Sequence, residues 1–277
     1  MLNEADTRAK LIDPKLKESG WHETQIHREY LITKGRVFLI GDEPERKERK
    51  KADYLLRYSD SFPLAVLEAK DESHSPADGI QQAKGYAESL KVLFAYSSNG
   101  HGIEEFDFIA NQQRSLSKFP APDELLNRYY AHKFPEFLAK SQKAAEKPKK
   151  AYTVTAPQPS TQPPLQEDPL LNPYFKEPGR TPWYFQEIAI KNIIERILKG
   201  DKRILLTMAT GTGKTFVAFQ VTWKLYNAGR VRRVLFLADR NFLRGQAYNT
   251  FGPFEDARAI IEEGKAPKTR DIYFSIY

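Results

Sequence analysis

At 277 residues the chain is long enough for one large domain or two ordinary ones. Hydrophobic residues make up 40% and charged residues 29%, the balance of a globular chain that buries a real core. No apolar run approaches bilayer-spanning or signal-core length, so no membrane partner is expected. The absence of cysteine excludes disulfides, thiolate zinc sites and a thiol nucleophile, and fits a cytoplasmic protein. Five histidines scattered singly offer no histidine metal site, while a net charge of +7 favours a polyanionic partner.

In chain order, Asn3 is placed to cap a short helix beginning at Glu4, and Asp13-Pro14 opens another that closes at Gly20. The stretches 21–32 and 35–40 alternate as paired strands would. A basic run, 46–51, follows as a solvated loop or a phosphate contact. Asp53–Tyr58 and Leu64–Lys70 then read as two strands around a turn at 59–63. Such a hairpin brings Asp53 near Glu68, and strand alternation puts Glu68 and Lys70 on one face. Two carboxylates and an ammonium at one spot suit a hard divalent cation such as Mg2+ beside a phosphate. Charges at strand ends are usually solvated, and D-x14-E-x-K spacings arise by chance. The apolar setting of Glu68 and Lys70 argues for chemistry, because unpaired charge is costly there.

Ser75-Pro76 predicts a helix running to Leu90, with Ile80, Ala83, Ala87 and Leu90 as its apolar stripe. Gln82 and Tyr86 lie one turn apart on its other face. Residues 92–96 and 102–109 read as two further strands around an Asn99-Gly100 turn, closing an α/β unit near residue 140.

These residues resemble the PD-(D/E)xK nuclease superfamily, a mixed sheet flanked by helices. Gln82 and Tyr86 match the QxxxY extension found in restriction subunits of type I restriction enzymes and related nucleases. Ala52 stands where the signature often has proline, a departure that touches no metal ligand. The resemblance implies Mg2+ held by Asp53 and Glu68, water positioned by Lys70, and DNA contact or site support from Gln82 and Tyr86. It also implies an acidic residue on the first helix completing the metal site, with Glu4 the match and Asp6 a rival. A charge favoured near a helix N-terminus explains either one equally well.

Residues 141–180 have a linker composition, and half of the chain's prolines lie between Pro148 and Pro182. Thr181-Pro182 starts a helix that Gly200 stops, with Ile190, Ile193, Ile194 and Ile197 as its stripe and Trp183 read as core packing. Residues 203–208 then read as a buried strand, followed by Ala209-Thr-Gly-Thr-Gly-Lys-Thr215 and an amphipathic helix to about Asn227. Strand, glycine-rich turn, GKT and helix form the phosphate-binding loop in its required context. Thr210, Gly211, Thr212 and Gly213 let backbone amides wrap a β-phosphate, Lys214 neutralises β/γ charge, and the Thr215 hydroxyl can ligate Mg2+. ATP is the expected nucleotide.

The loop is similar to motif I of superfamily 2 helicases and translocases. Gln186 sits where the adenine-reading glutamine of the Q motif does, and residues 234–246 look like motif Ia, which runs along the DNA backbone. Up to Tyr277 the sequence contains no DExx box, arginine finger or second RecA-like lobe, so the expected RecA-like P-loop α/β domain is incomplete. Domain order and motifs together resemble the N-terminal part of the R subunit of a type I restriction-modification enzyme. By that resemblance the full protein translocates double-stranded DNA with ATP and cuts it, alongside methyltransferase (M) and specificity (S) subunits. A stand-alone or repair-type helicase–nuclease is one alternative, and a non-catalytic DNA-binding or assembly module is another.

Overall fold

The computed structural model describes residues 2–33, 37–40, 43–46, 50–135, 168–177 and 181–277, and falls into two units, Met1–Gln162 and Pro163–Tyr277. In the first unit Asn3 caps α1 (Glu4–Thr7), its Oδ1 accepting the Asp6 amide at 2.8 Å. The chain continues through a π-helical turn, Arg8–Ile12, into α2 (Asp13–Glu18), and Gly20 at φ +90° ends the helical stretch.

Six strands follow in one sheet: β1 (Ile26–Thr33), β4 (Lys50–Ser59), β5 (Phe62–Ala69), β6 (Phe94–Ser98), β7 (Ile103–Asp107) and β8 (Gln112–Leu116), in that spatial order. Only β5 and β6 pair in parallel, as the crossover through α3 (Ile80–Leu90) requires. The expected pairing of 21–32 with 35–40 is not what forms. β1 lies antiparallel to β4, while β2 (Val37–Ile40) pairs with β3 (Glu43–Arg46) in a separate ladder. Alternation identifies a strand and is silent on its neighbour. The basic run 46–51 lies partly outside the described residues.

Helix α3 begins at Ile80 and not at Ser75, because residues 75–79 form a turn in which Asp78 Oδ2 accepts the Ser75 amide at 3.0 Å. Its stripe of Ile80, Ala83, Ala87 and Leu90 is buried as read. Strand alternation puts α3 over the sheet face that carries Glu68 and α4 (Pro122–Lys133) over the other. On that second face Arg128 Nη1 donates to Glu105 Oε1 at 2.8 Å and Nη2 to Asp107 Oδ2 at 2.7 Å, and Tyr96 Oη donates to the same buried Glu105.

The second unit is built on α5 (Tyr184–Leu198), α6 (Lys214–Asn227), β9 (Val234–Ala238), α7 (Asn241–Thr250), β10 (Arg258–Ile260) and β11 (Ile272–Ile276). Its parallel sheet runs β10-β11-β9 over a core of Phe219, Phe251, Phe254, Ile272 and Phe274. Three readings change here. Residues 203–208 form no ladder, and Leu205 is 92% exposed, because among the described residues no strand lies alongside them to pair. Trp183 is 49% exposed at the helix entry, stacked on Phe185, instead of packed in the core. Within the proline-rich stretch, residues 168–177 are folded onto α6. There Gln220 bonds both backbone groups of Phe175 at 3.0 Å, and Lys224 Nζ donates to the Leu170 carbonyl at 3.1 Å.

Candidate active site and nucleotide loop

The β4–β5 ladder pairs Tyr54 with Leu67, so Asp53 and Glu68, one step further along each strand, face one another. Asp53 Oδ2 accepts the Ala69 amide at 2.8 Å, which fixes its carboxylate beside the Glu68–Lys70 strand end. Lys70 Nζ lies 3.2 Å from Glu68 Oε1 and 3.4 Å from Gln82 Oε1, and Gln82 Nε2 in turn donates to Tyr86 Oη at 2.9 Å. A line of side-chain contacts thus runs Glu68–Lys70–Gln82–Tyr86, with Asp53 tied to it through the Ala69 amide.

Electrostatics at this spot are unusual. Glu68 is only 4% exposed, and its Oε2 has no hydrogen-bond partner. Burial, with the Asp53 charge second and Lys70 opposing both, pushes its carboxyl up to about 7. Glu4 adds a smaller push in the same direction, acting through space from an exposed position. Its rival Asp6 pairs instead with Lys10 at 3.1 Å. Among the described residues no group of three or more His, Cys, Asp or Glu side chains is gathered to hold a metal ion, which leaves Asp53 and Glu68 as the candidate donors. A buried, unpartnered carboxylate oxygen beside a second carboxylate fits a hard cation that keeps part of its water shell.

Sequence reasoning missed four contributors. Arg8 Nη1 approaches Asp53 Oδ1 at 3.4 Å, and its Nη2 approaches Glu29 Oε1 at 3.5 Å. Ser97 stands across the parallel ladder from Glu68, fully buried, with its hydroxyl unpartnered. Gly79 lies so close that a Cβ there would sit 2.4 Å from Ser97 Oγ, 3.0 Å from Lys70 Cε and 3.1 Å from Glu68 Cγ. A lone arginine, serine or glycine carries no spacing signal of its own.

In the second unit the loop 209–215 opens α6. Gly211 (φ +80°) and Gly213 (φ +86°) take the left-handed backbone that the turn needs. Lys214 Nζ donates to the carbonyls of Met208 and Ala209 at 3.1 Å each, folded over its own loop. Thr210 is exposed and Thr215 sits in the first turn of α6, where free amides and the helix dipole favour negative charge. Gln186 is buried. Its Oε1 accepts the Trp183 amide at 3.0 Å and its Nε2 donates to the Thr212 carbonyl at 2.9 Å, so it braces the loop. That brace lies against Gly213, where a Cβ would come within 2.5 Å of Gln186 Nε2. This lysine, these glycine turns and the helix start fit a nucleoside triphosphate.

Known proteins are similar to this chain over its whole length. Residues 181–277 match the family model described as "Type III restriction enzyme, res subunit". Over its whole length the chain is 34% identical to the type I restriction enzyme EcoAI endonuclease subunit of Escherichia coli, covering 32% of that protein. An 87-residue stretch, 31% of the chain and 7% of the relative, is 45% identical to the EcoKI endonuclease subunit of Escherichia coli K12. A solved fragment described as a putative HsdR subunit of a type I restriction enzyme from Vibrio vulnificus YJ016 superposes with a TM-score of 0.77. It is 43% identical, and the match covers all of this chain and 47% of that one.

These matches place the chain among restriction-enzyme subunits. It belongs with the endonuclease (HsdR) subunits of type I restriction enzymes, and it spans about a third of the length of the full-length relative it matches throughout.

Proposed function

We propose that this chain supplies the DNA-cutting site and the nucleotide loop of a type I restriction endonuclease subunit. The whole subunit would couple ATP-dependent translocation of double-stranded DNA to Mg2+-dependent cleavage, in complex with methyltransferase and specificity subunits. The observation that carries this reading is the pairing of Asp53 with Glu68, one of whose buried oxygens has no partner.

Asp53 and Glu68 would hold the cation. When bound, Mg2+ polarises a phosphoryl oxygen and eases water toward hydroxide at neutral pH. Lys70, anchored between Glu68 and Gln82, would present its ammonium to the attacking water and to charge developing on phosphorus. Gln82 and Tyr86 would line the approach of the DNA backbone, since neutral donors contact phosphate oxygens without reading sequence. Glu4 is the first-helix candidate for a more distant share of the cation's field. At the nucleotide loop, Lys214 would exchange its two carbonyls for phosphate oxygens, Thr215 would offer its hydroxyl to the nucleotide's Mg2+, and Gln186 would hold Thr212 in place.

The test is nicking of supercoiled plasmid by this chain with Mg2+, set against its Glu68→Ala variant. Metal-dependent nicking that disappears in the variant is the expected result. Equal nicking by both would sink the assignment.

A further inference from the structure

We propose that Arg8 is the resident counter-cation of the cutting site: a positioning residue that neutralises Asp53 until a divalent cation takes its place, then falls back on Glu29. The proposal rests on the cation-binding reading of Asp53 and Glu68 and adds an exchange step to it.

Arg8 opens the π-helical turn Arg8–Ile12, a local widening that re-aims side chains and recurs at functional sites. Its guanidinium is shared between two carboxylates, Asp53 at 3.4 Å and Glu29 at 3.5 Å. Both distances are long for a charged pair, which settles near 2.7–2.9 Å when tight. The guanidinium is thus held loosely between two partners. Its side chain is only 19% exposed, but that of Glu29 is 52% exposed, so on release from Asp53 the guanidinium keeps a carboxylate partner toward solvent. Glu29 is itself kept in place by Lys51, whose Nζ lies 2.6 Å from its second oxygen.

The backbone at Glu29 is the second, independent observation. The β1–β4 ladder pairs Arg28 with Tyr54 and Tyr30 with Ala52, which puts Glu29 opposite Asp53. At that one position the strand turns to φ +56°, a left-handed conformation that a residue with a Cβ rarely takes inside a strand. Strain of this kind persists where surrounding structure enforces it, and it gathers at working sites. Here it falls at the residue that shares Arg8 with Asp53.

A cation at Asp53 and Glu68 would face a guanidinium competing for the same Asp53 oxygen, so part of its binding energy goes into displacing Arg8. Glu29 eases that displacement by offering the guanidinium somewhere to go. Removing the competitor and removing its alternative partner should therefore act in opposite directions.

The experiment is calorimetric titration of Mn2+ into the full chain, with thermal melts confirming that each variant folds. Arg8→Gln should tighten Mn2+ binding by roughly three- to tenfold, Arg8→Lys should stay within about twofold of the parent, and Glu29→Gln should weaken binding roughly threefold. In the Arg8→Gln background the Glu29→Gln effect should shrink, since there is no guanidinium left to receive. A merely structural Arg8 gives unchanged or weaker binding when replaced, and either result overturns the proposal while leaving the cation site standing. No Mn2+ binding by the parent chain would overturn the cation reading, and this proposal with it. Should Arg8→Gln fail to fold, Glu29→Gln still decides: undiminished affinity there is a refutation.

Discussion

Asp53 accepts the backbone amide of Ala69, the residue between Glu68 and Lys70, at 2.8 Å. One side chain thus orients the strand end that carries its two partners. Asp53→Asn keeps an acceptor for that amide, while Asp53→Ala leaves a part-buried donor unmet at a cost of about 1–2 kcal/mol. We expect Asp53→Asn to melt near the parent chain and Asp53→Ala to melt several degrees lower, with Mn2+ binding lost in both. Thermal denaturation beside calorimetric titration separates the two effects.

Stability should depend on pH through Glu68. Its folded carboxyl keeps a proton up to about 7 while the unfolded one releases it near 4.5, so the folded state binds more protons between those values. Metal-free stability therefore falls as pH rises through that window and levels off above it. Glu68→Gln removes the slope and should be more stable at pH above 7, on the order of 1–3 kcal/mol. Urea denaturation in chelator at several pH values tests this, and a parent and variant with parallel profiles would refute it.

Two glycines a turn and a half apart should respond oppositely to alanine. At Gly79 the new Cβ meets Ser97 Oγ at 2.4 Å, and the hydroxyl or the Glu68 and Lys70 side chains must shift. A loss of about 1–2 kcal/mol is expected. Gly85, exposed within α3 and with nothing near its would-be Cβ, should gain about 0.5–1 kcal/mol from better helix propensity. Chemical denaturation of both variants gives the two signs, and Mn2+ affinity should fall only in the first.

At the nucleotide loop, Gln186→Ala breaks the bond to the Thr212 carbonyl and the one to the Trp183 amide. The loop amides should exchange hydrogen faster, and stability should drop by about 1–2 kcal/mol. Lys214→Ala, exposed and bonded only to its own loop, should leave stability within about 0.5 kcal/mol and abolish binding of a fluorescent ATP analogue. Hydrogen exchange across 209–215 and a binding titration check both.

The arrangement of the candidate cutting site was largely legible because its residues obey short-range rules. A two-residue period puts Glu68 and Lys70 on one face, and a tight turn returns the chain to Asp53. Gln82 and Tyr86 follow from helical spacing, and the loop 209–215 from its glycines. What escaped depends on distant chain segments. Arg8 is 45 residues from Asp53, and Gly79 matters only because β6 places Ser97 beneath it. Residues 203–208 read as a strand by composition, but a ladder needs a neighbour, and composition names none. The same blindness hid the docking of 168–177, where proline content masks backbone contacts made by Gln220 and Lys224.

Glu68 is a side chain that folding alone would not retain. Its ionised form sits almost without water, beside another acid, with one oxygen bonded to nothing. An uncharged amide of the same shape would make a sturdier molecule, and the proposed cation site is what the acid would serve. If the proposed function holds, that one-atom exchange disarms cutting and leaves the nucleotide loop untouched.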